Sequence, residues 1–320
     1  MTKPDILVVG AYADWDRDPM ADAYTLWDVD SVAKPDPLAS VPASVRARIQ
    51  AIAFRGHDFL GFAVIDALPE LKMIANLGVG YDTIDVCHAL SRGIAVSNTP
   101  DVLTEDVADL GVGMMIAWSR NIPGAQAWIT SGTWPKAGEF GLQRKVSGKR
   151  AGIVGLGRIG RAVANRLVGF NMSIAYFSRQ PKDTPGWQHF DDLRALAEAV
   201  DVLFVCVSGG PATAGLVSAD VIEALGRKGL LINISRGTTV DEPALLDALE
   251  EGKIAGAALD VYLNEPNIDP RFLALENVLL QPHQSSGTIE TRQRMGELQR
   301  ENLAAFFAGA PLITPIPECA

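Results

Sequence analysis

Residues 151–163 read "AGIVGLGRIGRAV", a short apolar run followed by a glycine-rich turn and the start of a helical pattern. Gly155, Gly157 and Gly160 have the GxGxxG spacing. The first glycine permits a tight turn, the second lets the backbone approach a pyrophosphate, and the third allows a helix to lie close to its strand. The N-terminus of that helix would offer oriented N–H groups to an anion. The stretch therefore predicts a dinucleotide-binding βαβ unit.

The end of the next predicted strand, "IAYFSRQPK" at 174–182, departs from the usual sequel. An NAD site has a carboxylate there for the ribose hydroxyls, whereas an arginine suits a 2′-phosphate. Here Ser178 and Arg179 occupy the place, with Lys182 close behind. A hydrogen bond to a charged group is worth about 1.5–3 kcal/mol, enough to decide the preference. We expect NADP(H) to be preferred and NAD(H) to bind more weakly; the alternative is a solvent-exposed Arg179 and NAD held by sugar and backbone contacts.

The chain alternates short apolar runs with helical patterns in two series, which is typical of parallel α/β proteins. The first series predicts strands in "DILVVG", "IQAIAF", "KMIANLG" and "GIAVSN", with helices near 16–26 and 83–91. The second predicts six strands between 150 and 280, separated by helices. We expect two doubly wound parallel-sheet domains.

The domain boundaries follow from two helical patterns. Thr104 could cap a helix that runs to Trp118 and connects the two series. A second helical pattern, at 288–308, follows the last strand of the second series, so it is expected to pack on the first sheet. We therefore expect a Rossmann cofactor domain at 99–286, inserted in a flavodoxin-like substrate-binding domain formed by 1–98 and 287–320. Residues 122–148, rich in Gly, Pro and Trp, predict a long irregular arm for dimerisation.

Composition excludes several classes of partner. The 320 residues carry a formal net charge of −10, which repels nucleic acid and anionic membrane surfaces. No apolar run approaches the roughly 20 residues of a membrane helix, and the N-terminus resembles a first strand more than a signal peptide, so we expect a cytoplasmic protein. Cys87, Cys206 and Cys319 lack CxxC spacing, so neither disulfides nor a metal site is expected.

Three polar residues follow predicted strands of the second series: Arg236 in "INISRGTTVDE", Glu265 in "ALDVYLNEP" and His283 in "LLQPHQSSGT". Taken singly, each has an ordinary structural explanation: a surface turn, a residue before a proline-bearing loop, and a structural histidine. Their joint position favours a site, because ligands of open α/β sheets bind at the carboxyl ends of the strands.

Ketone reduction gives these three residues a common purpose. Hydride transfer to a ketone develops negative charge on oxygen, and His283 can supply the proton that neutralises it. Glu265, paired with His283, would orient the imidazole and favour its charged form. Arg236 has the planar fork that binds a carboxylate and would polarise the neighbouring carbonyl. The implied substrate is a 2-keto acid.

Seven segments in order resemble the D-isomer-specific 2-hydroxyacid dehydrogenases, within them the glyoxylate/hydroxypyruvate reductase branch that includes hydroxyphenylpyruvate reductases. They are "NLGVGYDTID", "GLGRIG", "YFSRQPK", "INISRGTTVDE", "ALDVYLNEP", "QPHQSSGTIETR" and "NLAAFFAGAPLITPI". The resemblance implies that Arg236, Glu265 and His283 are catalytic. It also implies that the N–H groups of Val79 and Gly80 bind the substrate carboxylate together with Arg236, and that domain closure excludes water.

The same resemblance implies the cofactor contacts, with Asp260 at the nicotinamide amide and Thr104 near the cofactor. The full expected set is Thr104, Gly155, Leu156, Gly157, Arg158, Ile159, Gly160, Ser178, Arg179, Lys182, Val207, Thr213, Ile234, Asp260 and Ser286. For Arg158 two placements stay open, beside the pyrophosphate or in solvent. The sequence departs from the family pattern at two places near these contacts. Gln284 follows the histidine where smaller or aliphatic residues are commoner, and "CVSGGPATAG" replaces the usual leucine-proline run beside the adenosine.

These residues together predict an NADPH-preferring reductase of glyoxylate and hydroxypyruvate that works as a homodimer. A dehydrogenase for another substrate such as hydroxyphenylpyruvate is one alternative, and a nucleotide-sensing, corepressor-like binding protein of the same fold is another. A formate dehydrogenase is disfavoured, because formate dehydrogenases of this fold have a glutamine at the position where this chain has Glu265. Trp134 in the arm is expected either to line a substrate pocket or to pack structurally.

Overall fold

The computed structural model describes residues 3–319, and the chain divides into two compact units. One unit comprises the chain up to Leu103 and from Gly287 onward, and the other comprises Thr104–Ser286. The sequence predicted boundaries at 98/99 and 286/287. The assignment of substrate binding to one unit and of cofactor binding to the other stays a prediction.

The elements up to the end of the first series are short. They are β1 (Asp5–Val9), α1 (Asp14–Ala23), β2 (Thr25–Val29), α2 (Ala43–Arg46), β3 (Ala51–Phe54), α3 (Phe62–Asp66), β4 (Met73–Asn76), α4 (Val86–Ser91) and β5 (Ala95–Ser97).

The remaining elements begin with the longest helix of the second unit and end with a helix of the first. They are α5 (Thr104–Ser119), α6 (Ile122–Thr130), α7 (Trp134–Ala137), β6 (Arg150–Val154), α8 (Arg158–Val168), β7 (Ser173–Phe177), β8 (Gln188–Phe190), α9 (Leu193–Ala199), β9 (Val202–Val205), α10 (Ala219–Leu225), β10 (Leu230–Asn233), α11 (Glu242–Glu250), β11 (Gly256–Leu259), α12 (Arg271–Ala274), β12 (Val278–Leu280) and α13 (Ile289–Phe307).

The first unit is built on a five-stranded parallel sheet in the order β2-β1-β3-β4-β5. This is the doubly wound order of flavodoxin-like folds. Strands β3 and β4 are buried along their whole length, as expected of a parallel sheet covered on both faces. On one face, Met20 of α1 and Leu303 of α13 join Ile6 and Val8 in an apolar cluster.

One element of this sheet corrects the sequence prediction. The helix expected near 16–26 ends at Ala23, and Thr25–Val29 forms the edge strand β2. Tyr24 between them is already extended, with φ −132° and ψ 160°. The segment "TLWDV" contains the β-branched and aromatic residues that favour strands, and its pairing with β1 decides the outcome.

The second unit is built on a seven-stranded parallel sheet in the order β12-β11-β10-β9-β6-β7-β8. The order reverses between β6 and β9, and such switch points are where open α/β sheets bind ligands. The sequence predicted six strands and missed β8, because "QHF" is too short and polar to stand out as an apolar run. The two parallel sheets confirm the predicted α/β class.

Two further expectations about the second unit need correction. Helix α5 begins at Thr104 itself, so this residue occupies the first helical turn and not the cap position that the sequence predicted. The arm at 122–148 is not irregular throughout, because it contains α6 and α7. The side chain of Asn121 caps α6 by accepting a hydrogen bond from the N–H of Gly124 at 3.2 Å. Across the described residues, no helix is long and apolar enough to cross a membrane.

Candidate active site

The predicted phosphate turn lies between β6 and α8, at the point where the strand order reverses. Gly155 has φ +92°, and a Cβ there would lie 2.6 Å from Val207 Cγ1, so only glycine fits. A Cβ on Gly160 would lie 2.1 Å from the carbonyl oxygen of Gly155. Gly157, the residue before α8, faces open space, with no atom within 4 Å of a Cβ position. The turn therefore leaves room at its second glycine, where a pyrophosphate has to approach.

The loop that carries Ser178, Arg179 and Lys182 leaves the neighbouring strand β7. Its two cationic side chains are exposed. The buried Tyr176 hydroxyl accepts a hydrogen bond from the Lys182 N–H at 2.8 Å and donates to the Lys182 carbonyl at 3.2 Å. The His189 ring on β8 lies 2.9 Å, through Nε2, from the Ser178 carbonyl oxygen. Residues beneath the loop thus fix its backbone, and the cations project outward.

Other predicted cofactor residues surround the same strand ends. Val207 follows β9 and packs against Gly155, and Ile234 directly follows β10. Thr213 closes the loop after β9, because its hydroxyl donates to the Ser208 carbonyl at 2.6 Å. The remaining expected contacts, as the structure places them, are buried Leu156 before α8, Arg158 and Ile159 at its start, Thr104 at the start of α5, and half-buried Ser286 after β12.

Arg236 lies three residues beyond the end of β10, in a loop whose backbone is held by neighbouring side chains. The Arg236 carbonyl accepts hydrogen bonds from Asn233 Nδ2 at 2.9 Å and from the Thr239 hydroxyl at 2.6 Å. A Cβ on Gly237 would lie 2.0 Å from the carbonyl carbon of Tyr262, so glycine lets this loop pack against the next one. The half-buried Arg236 guanidinium donates from Nη1 to the Ser235 carbonyl at 2.9 Å, and this hydrogen bond helps to orient the side chain.

Glu265 and His283 form a hydrogen-bonded pair in the loops that follow β11 and β12. Glu265 Oε2 lies 2.7 Å from His283 Nδ1, and the side chains are 18% and 26% exposed. Glu265 Oε1 accepts a hydrogen bond from the Tyr262 N–H at 2.8 Å, so the carboxylate is fixed from both sides. Because Nδ1 is committed to Glu265, this pairing sets the orientation and tautomer of the imidazole.

The Tyr262–Glu265 loop that presents this carboxylate is supported by two further side chains. Glu242 accepts a hydrogen bond from the Leu263 N–H at 2.8 Å, and burial raises the pKa of Glu242. The Tyr262 hydroxyl shares its one proton between the carbonyl oxygens of Leu259 and Gln281, each 2.9 Å away, and burial raises the pKa of this hydroxyl as well. The ends of β11 and β12 are thereby joined under the Glu265–His283 pair.

Asp260, expected beside the nicotinamide amide, uses its carboxylate within the protein. The side chain is 1% exposed and accepts hydrogen bonds from the N–H groups of Gln284 at 2.7 Å and Ser285 at 2.9 Å, and from the Ser285 hydroxyl. The Asp260 carbonyl accepts from the His283 N–H at 2.8 Å. His283 itself has φ 52°, a left-handed conformation that this network has to hold in place. Asp260 therefore fixes the backbone on which His283 sits.

The predicted carboxylate-binding residues Val79 and Gly80 lie in the first unit, in the loop that follows β4. Both are half-buried. The loop "GVGYD" connects β4 to α4, whose N-terminus is capped by Asp85, the acceptor for the His88 N–H at 3.0 Å. The loop is thus at the carboxyl edge of its sheet, the usual place for ligands in this class of fold.

Residues 112–285 match the family model of the D-isomer specific 2-hydroxyacid dehydrogenase NAD-binding domain. The chain belongs to this family. Its members are dehydrogenases and reductases that use a nicotinamide cofactor, so the predicted resemblance is confirmed and the protein is an NAD(P)-dependent oxidoreductase.

Individual family members match this dehydrogenase over nearly its whole length. The 2-ketogluconate reductase of Gluconobacter oxydans (strain 621H) is 42% identical over 98% of this chain and 99% of its own. The 2-hydroxyacid dehydrogenase structure from Ketogulonicigenium vulgare Y25 is 52% identical, with a TM-score of 0.91 and 99% of both chains covered. The NADPH-dependent glyoxylate/hydroxypyruvate reductase of Sinorhizobium meliloti, in complex with NADP and malonate, is 42% identical with a TM-score of 0.94, covering 99% of this chain and 98% of that one.

Sequence reasoning missed the residues of this dehydrogenase that hold the site in place. The side chains of Asn233 and Thr239 donate to the Arg236 carbonyl, the Ser285 hydroxyl donates to the Asp260 carboxylate, and the Tyr176 hydroxyl contacts the backbone of a residue six positions on. The "INIS" and "AYFS" contexts gave only a strand pattern, which explains such residues as core. One sequence signal could have identified Asn233: it is a polar residue at the last position of an otherwise apolar strand.

Proposed function

We propose that this protein is an NADPH-preferring reductase of small 2-keto acids, with glyoxylate and hydroxypyruvate as its substrates. The observation that carries the proposal is the 2.7 Å Glu265–His283 pair at the ends of adjacent strands. It lies in the same sheet as the glycine turn and as Arg236, which follows the next strand, β10. A proton donor, its orienting carboxylate and a carboxylate-binding cation are the groups that keto acid reduction requires.

The cofactor is assigned to the turn between β6 and α8, whose residues fit a dinucleotide. Gly157 offers open space for the pyrophosphate, and the N-terminus of an 11-residue helix faces it. When bound, the reduced nicotinamide supplies a hydride for the carbonyl carbon. Val207 and Ile234 at neighbouring strand ends are assigned to its walls.

His283 is assigned the proton transfer. Because Nδ1 pairs with Glu265, the proton for the carbonyl oxygen has to leave from Nε2. The carboxylate of Glu265 stabilises the charged imidazole before the transfer and keeps the ring in one orientation. We assign carboxylate recognition to the Arg236 guanidinium and to the N–H groups of Val79 and Gly80. Arg236 also polarises the carbonyl, because its charge favours the negative oxygen that develops.

The proposed preference for NADPH rests on Arg179 and Lys182, which are assigned to the 2′-phosphate. Ser178, the first residue after β7, is assigned to the same contact. No carboxylate stands at the end of β7 to bind ribose hydroxyls, and the two cations offer charge for a 2′-phosphate instead. The NADP complex of the Sinorhizobium meliloti relative, 42% identical to this chain, supports the same choice.

A second substrate class has specific support. The Gluconobacter oxydans relative, which matches 98% of this chain at 42% identity, is a 2-ketogluconate reductase. A six-carbon sugar acid presents the same 2-keto carboxylate as glyoxylate, so Arg236 and His283 would act on both in the same way. The two candidate substrates, glyoxylate and 2-ketogluconate, then differ in the length of the carbon chain attached to the keto group.

The arm is assigned to a homodimer contact. Helix α6 buries none of its residues within the protomer, and Ile122, Ile129 and Trp134 are 51%, 55% and 55% exposed. Apolar side chains exposed together on a helical segment are typical of an interface. Sedimentation equilibrium should give twice the 34.2 kDa chain mass, and a monomer at micromolar concentration would refute the assignment.

The decisive experiment is steady-state oxidation of NADPH and of NADH with glyoxylate, hydroxypyruvate, hydroxyphenylpyruvate, pyruvate and 2-ketogluconate. The proposal expects the highest kcat/KM with NADPH and glyoxylate or hydroxypyruvate. A higher value with 2-ketogluconate or hydroxyphenylpyruvate would replace the substrate and keep the mechanism. A nucleotide-sensing, corepressor-like protein would bind NADPH but oxidise it negligibly with every acid, and that result would overturn the proposal.

A further inference from the structure

The loop of Gly78, Val79 and Gly80 has every one of its three carbonyl oxygens engaged by the same small set of donors. Asn76 Nδ2 donates to the Gly78 carbonyl at 3.1 Å and to the Gly80 carbonyl at 2.9 Å. Asn98 Nδ2 donates to the Val79 carbonyl at 2.9 Å. These two side chains come from the ends of β4 and β5, which are adjacent strands of the first unit.

The direction of these carbonyls decides the direction of the N–H groups. A trans peptide is planar, so its N–H points opposite to its C=O. The Gly78 carbonyl belongs to the same peptide as the Val79 N–H, and the Val79 carbonyl to the same peptide as the Gly80 N–H. Fixing the two carbonyls therefore turns the Val79 N–H away from Asn76 and the Gly80 N–H away from Asn98.

The two N–H groups are also left available. Neither Val79 N–H nor Gly80 N–H donates any of the hydrogen bonds described for residues 3–319. Successive N–H groups that point the same way form a concave site for an anion. A donor on the far side of each peptide polarises it further, which strengthens the positive end of the N–H.

Burial makes the two asparagines rigid supports. Asn76 and Asn98 are 4% and 7% exposed. The Asn98 backbone is itself tied down, because its N–H donates to the Thr314 carbonyl at 3.2 Å and its carbonyl accepts from the Thr314 hydroxyl at 2.7 Å. The Thr99 N–H donates to the Gly78 carbonyl at 2.9 Å, which adds a second donor to that oxygen.

We infer that Asn76 and Asn98 are positioning residues for substrate selection, which aim the Val79 and Gly80 N–H groups at the carboxylate of the keto acid. They do not touch the substrate. The inference deepens the proposed function and rests on it, because it takes the ligand of this loop to be a 2-keto acid carboxylate. It assigns affinity for that carboxylate to two side chains on the opposite side of the loop.

The test replaces each asparagine by leucine, which has nearly the same size and no donor. Asn98→Leu should raise the KM for glyoxylate by roughly tenfold or more, the size of one hydrogen bond to a charged group. Asn76→Leu should raise it by a smaller factor, because the Thr99 N–H still holds the Gly78 carbonyl. The inhibition constant of oxalate, which offers a carboxylate but cannot be reduced, should rise by the same factor. The Kd of NADPH, measured by nucleotide fluorescence, should stay the same, and kcat should change less than KM.

Asn277→Leu is the matched control. It removes the Asn277 Nδ2 donor to the Leu249 carbonyl, at 3.1 Å, before β12 and away from the strand ends that carry the site. It should leave the KM and the oxalate constant unchanged. Asn98→Ser, whose hydroxyl is too short to reach Val79, is the milder variant if leucine prevents folding.

The outcomes separate this inference from the proposed function. If wild-type protein reduces glyoxylate and oxalate competes, but the folded asparagine variants keep both constants, the positioning role is wrong and the proposed function stands. An equal loss of NADPH affinity would also overturn the positioning role, because it would indicate general damage. If the wild-type protein reduces no 2-keto acid, the proposed function itself fails.

Discussion

Two alanine substitutions in one turn should separate cofactor binding from folding. A Cβ at Gly157 would meet no protein atom within 4 Å, whereas a Cβ at Gly160 would lie 2.1 Å from the Gly155 carbonyl oxygen and 2.9 Å from Ile153 Cγ2. Gly157→Ala should therefore fold normally and obstruct the pyrophosphate. Gly160→Ala should force α8 away from β6.

The magnitudes follow from these distances. Overpacking at Gly160 costs about 1–3 kcal/mol, and each kcal/mol lowers the unfolding temperature of a unit of this size by about 2–4 °C. At Gly157 the change before α8 costs under about 1 kcal/mol, since glycine there is only a moderate cap. Losing one charge-assisted contact to a phosphate costs about 1.5–3 kcal/mol, so NADPH should bind roughly 10- to 100-fold more weakly to Gly157→Ala.

Thermal unfolding without nucleotide and fluorescence titration with NADPH measure the two effects on the same preparations. Gly157→Ala should unfold within about 2–4 °C of the wild type and lose NADPH affinity. Gly160→Ala should unfold at a lower temperature. Unchanged NADPH affinity in Gly157→Ala would refute the placement of the pyrophosphate at this turn, whatever the unfolding temperatures show.

Three further predictions concern single side chains of the second unit. His283→Ala should lower kcat by about 10²–10⁴-fold with NADPH affinity retained, and near-normal turnover would contradict its assignment as proton donor. Arg179→Ala should weaken NADPH much more than NADH, with the exposed Arg194→Ala as control; equal losses for both nucleotides would show that Arg179 does not bind the phosphate. The Arg150 guanidinium holds the pKa of Asp201 below its usual 3.8, so this pair stabilises the fold above about pH 4 and loses that contribution as the pH falls. Asp201→Asn should cost about 0.2–1 kcal/mol at pH 7, and the difference in unfolding free energy should narrow toward pH 3; a constant difference would exclude this pair as its source.

The sequence predicted those parts of the site that depend on local order. The glycine spacing from Gly155 to Gly160 works through backbone conformation, so three positions define it. Arg236, Glu265 and His283 each follow an apolar run by a few residues, and parallel strands bring their carboxyl ends to one edge of a sheet. The structure places Glu265 and His283 2.7 Å apart, although 18 positions separate them along the chain.

The parts that escaped prediction depend on contacts between distant segments. The helix predicted near 16–26 ran into Thr25 and Leu26, and these residues are part of strand β2 because β1 pairs with them. Asn76 is the last residue of β4 and Asn98 directly follows β5, and nothing in the sequence around either residue shows that both support one loop. Helix α6 was not predicted because its sequence contains Pro123 and Gly124. Both residues lie in the first turn of the helix, after the Asn121 cap, where proline is tolerated.

The support of the 178–182 loop by Tyr176 and His189 has a consequence for redesign. The backbone of this loop is anchored from below, through contacts to the Lys182 and Ser178 main chain. The Ser178 hydroxyl adds a hydrogen bond to the Gln180 carbonyl at 2.6 Å, whereas the exposed side chains of Arg179 and Lys182 take no part in these contacts and can be exchanged without disturbing the loop. We therefore expect cofactor choice to be separable from the fold: an acidic residue in place of the exposed Arg179 should shift the preference toward NADH and leave the unfolding temperature unchanged.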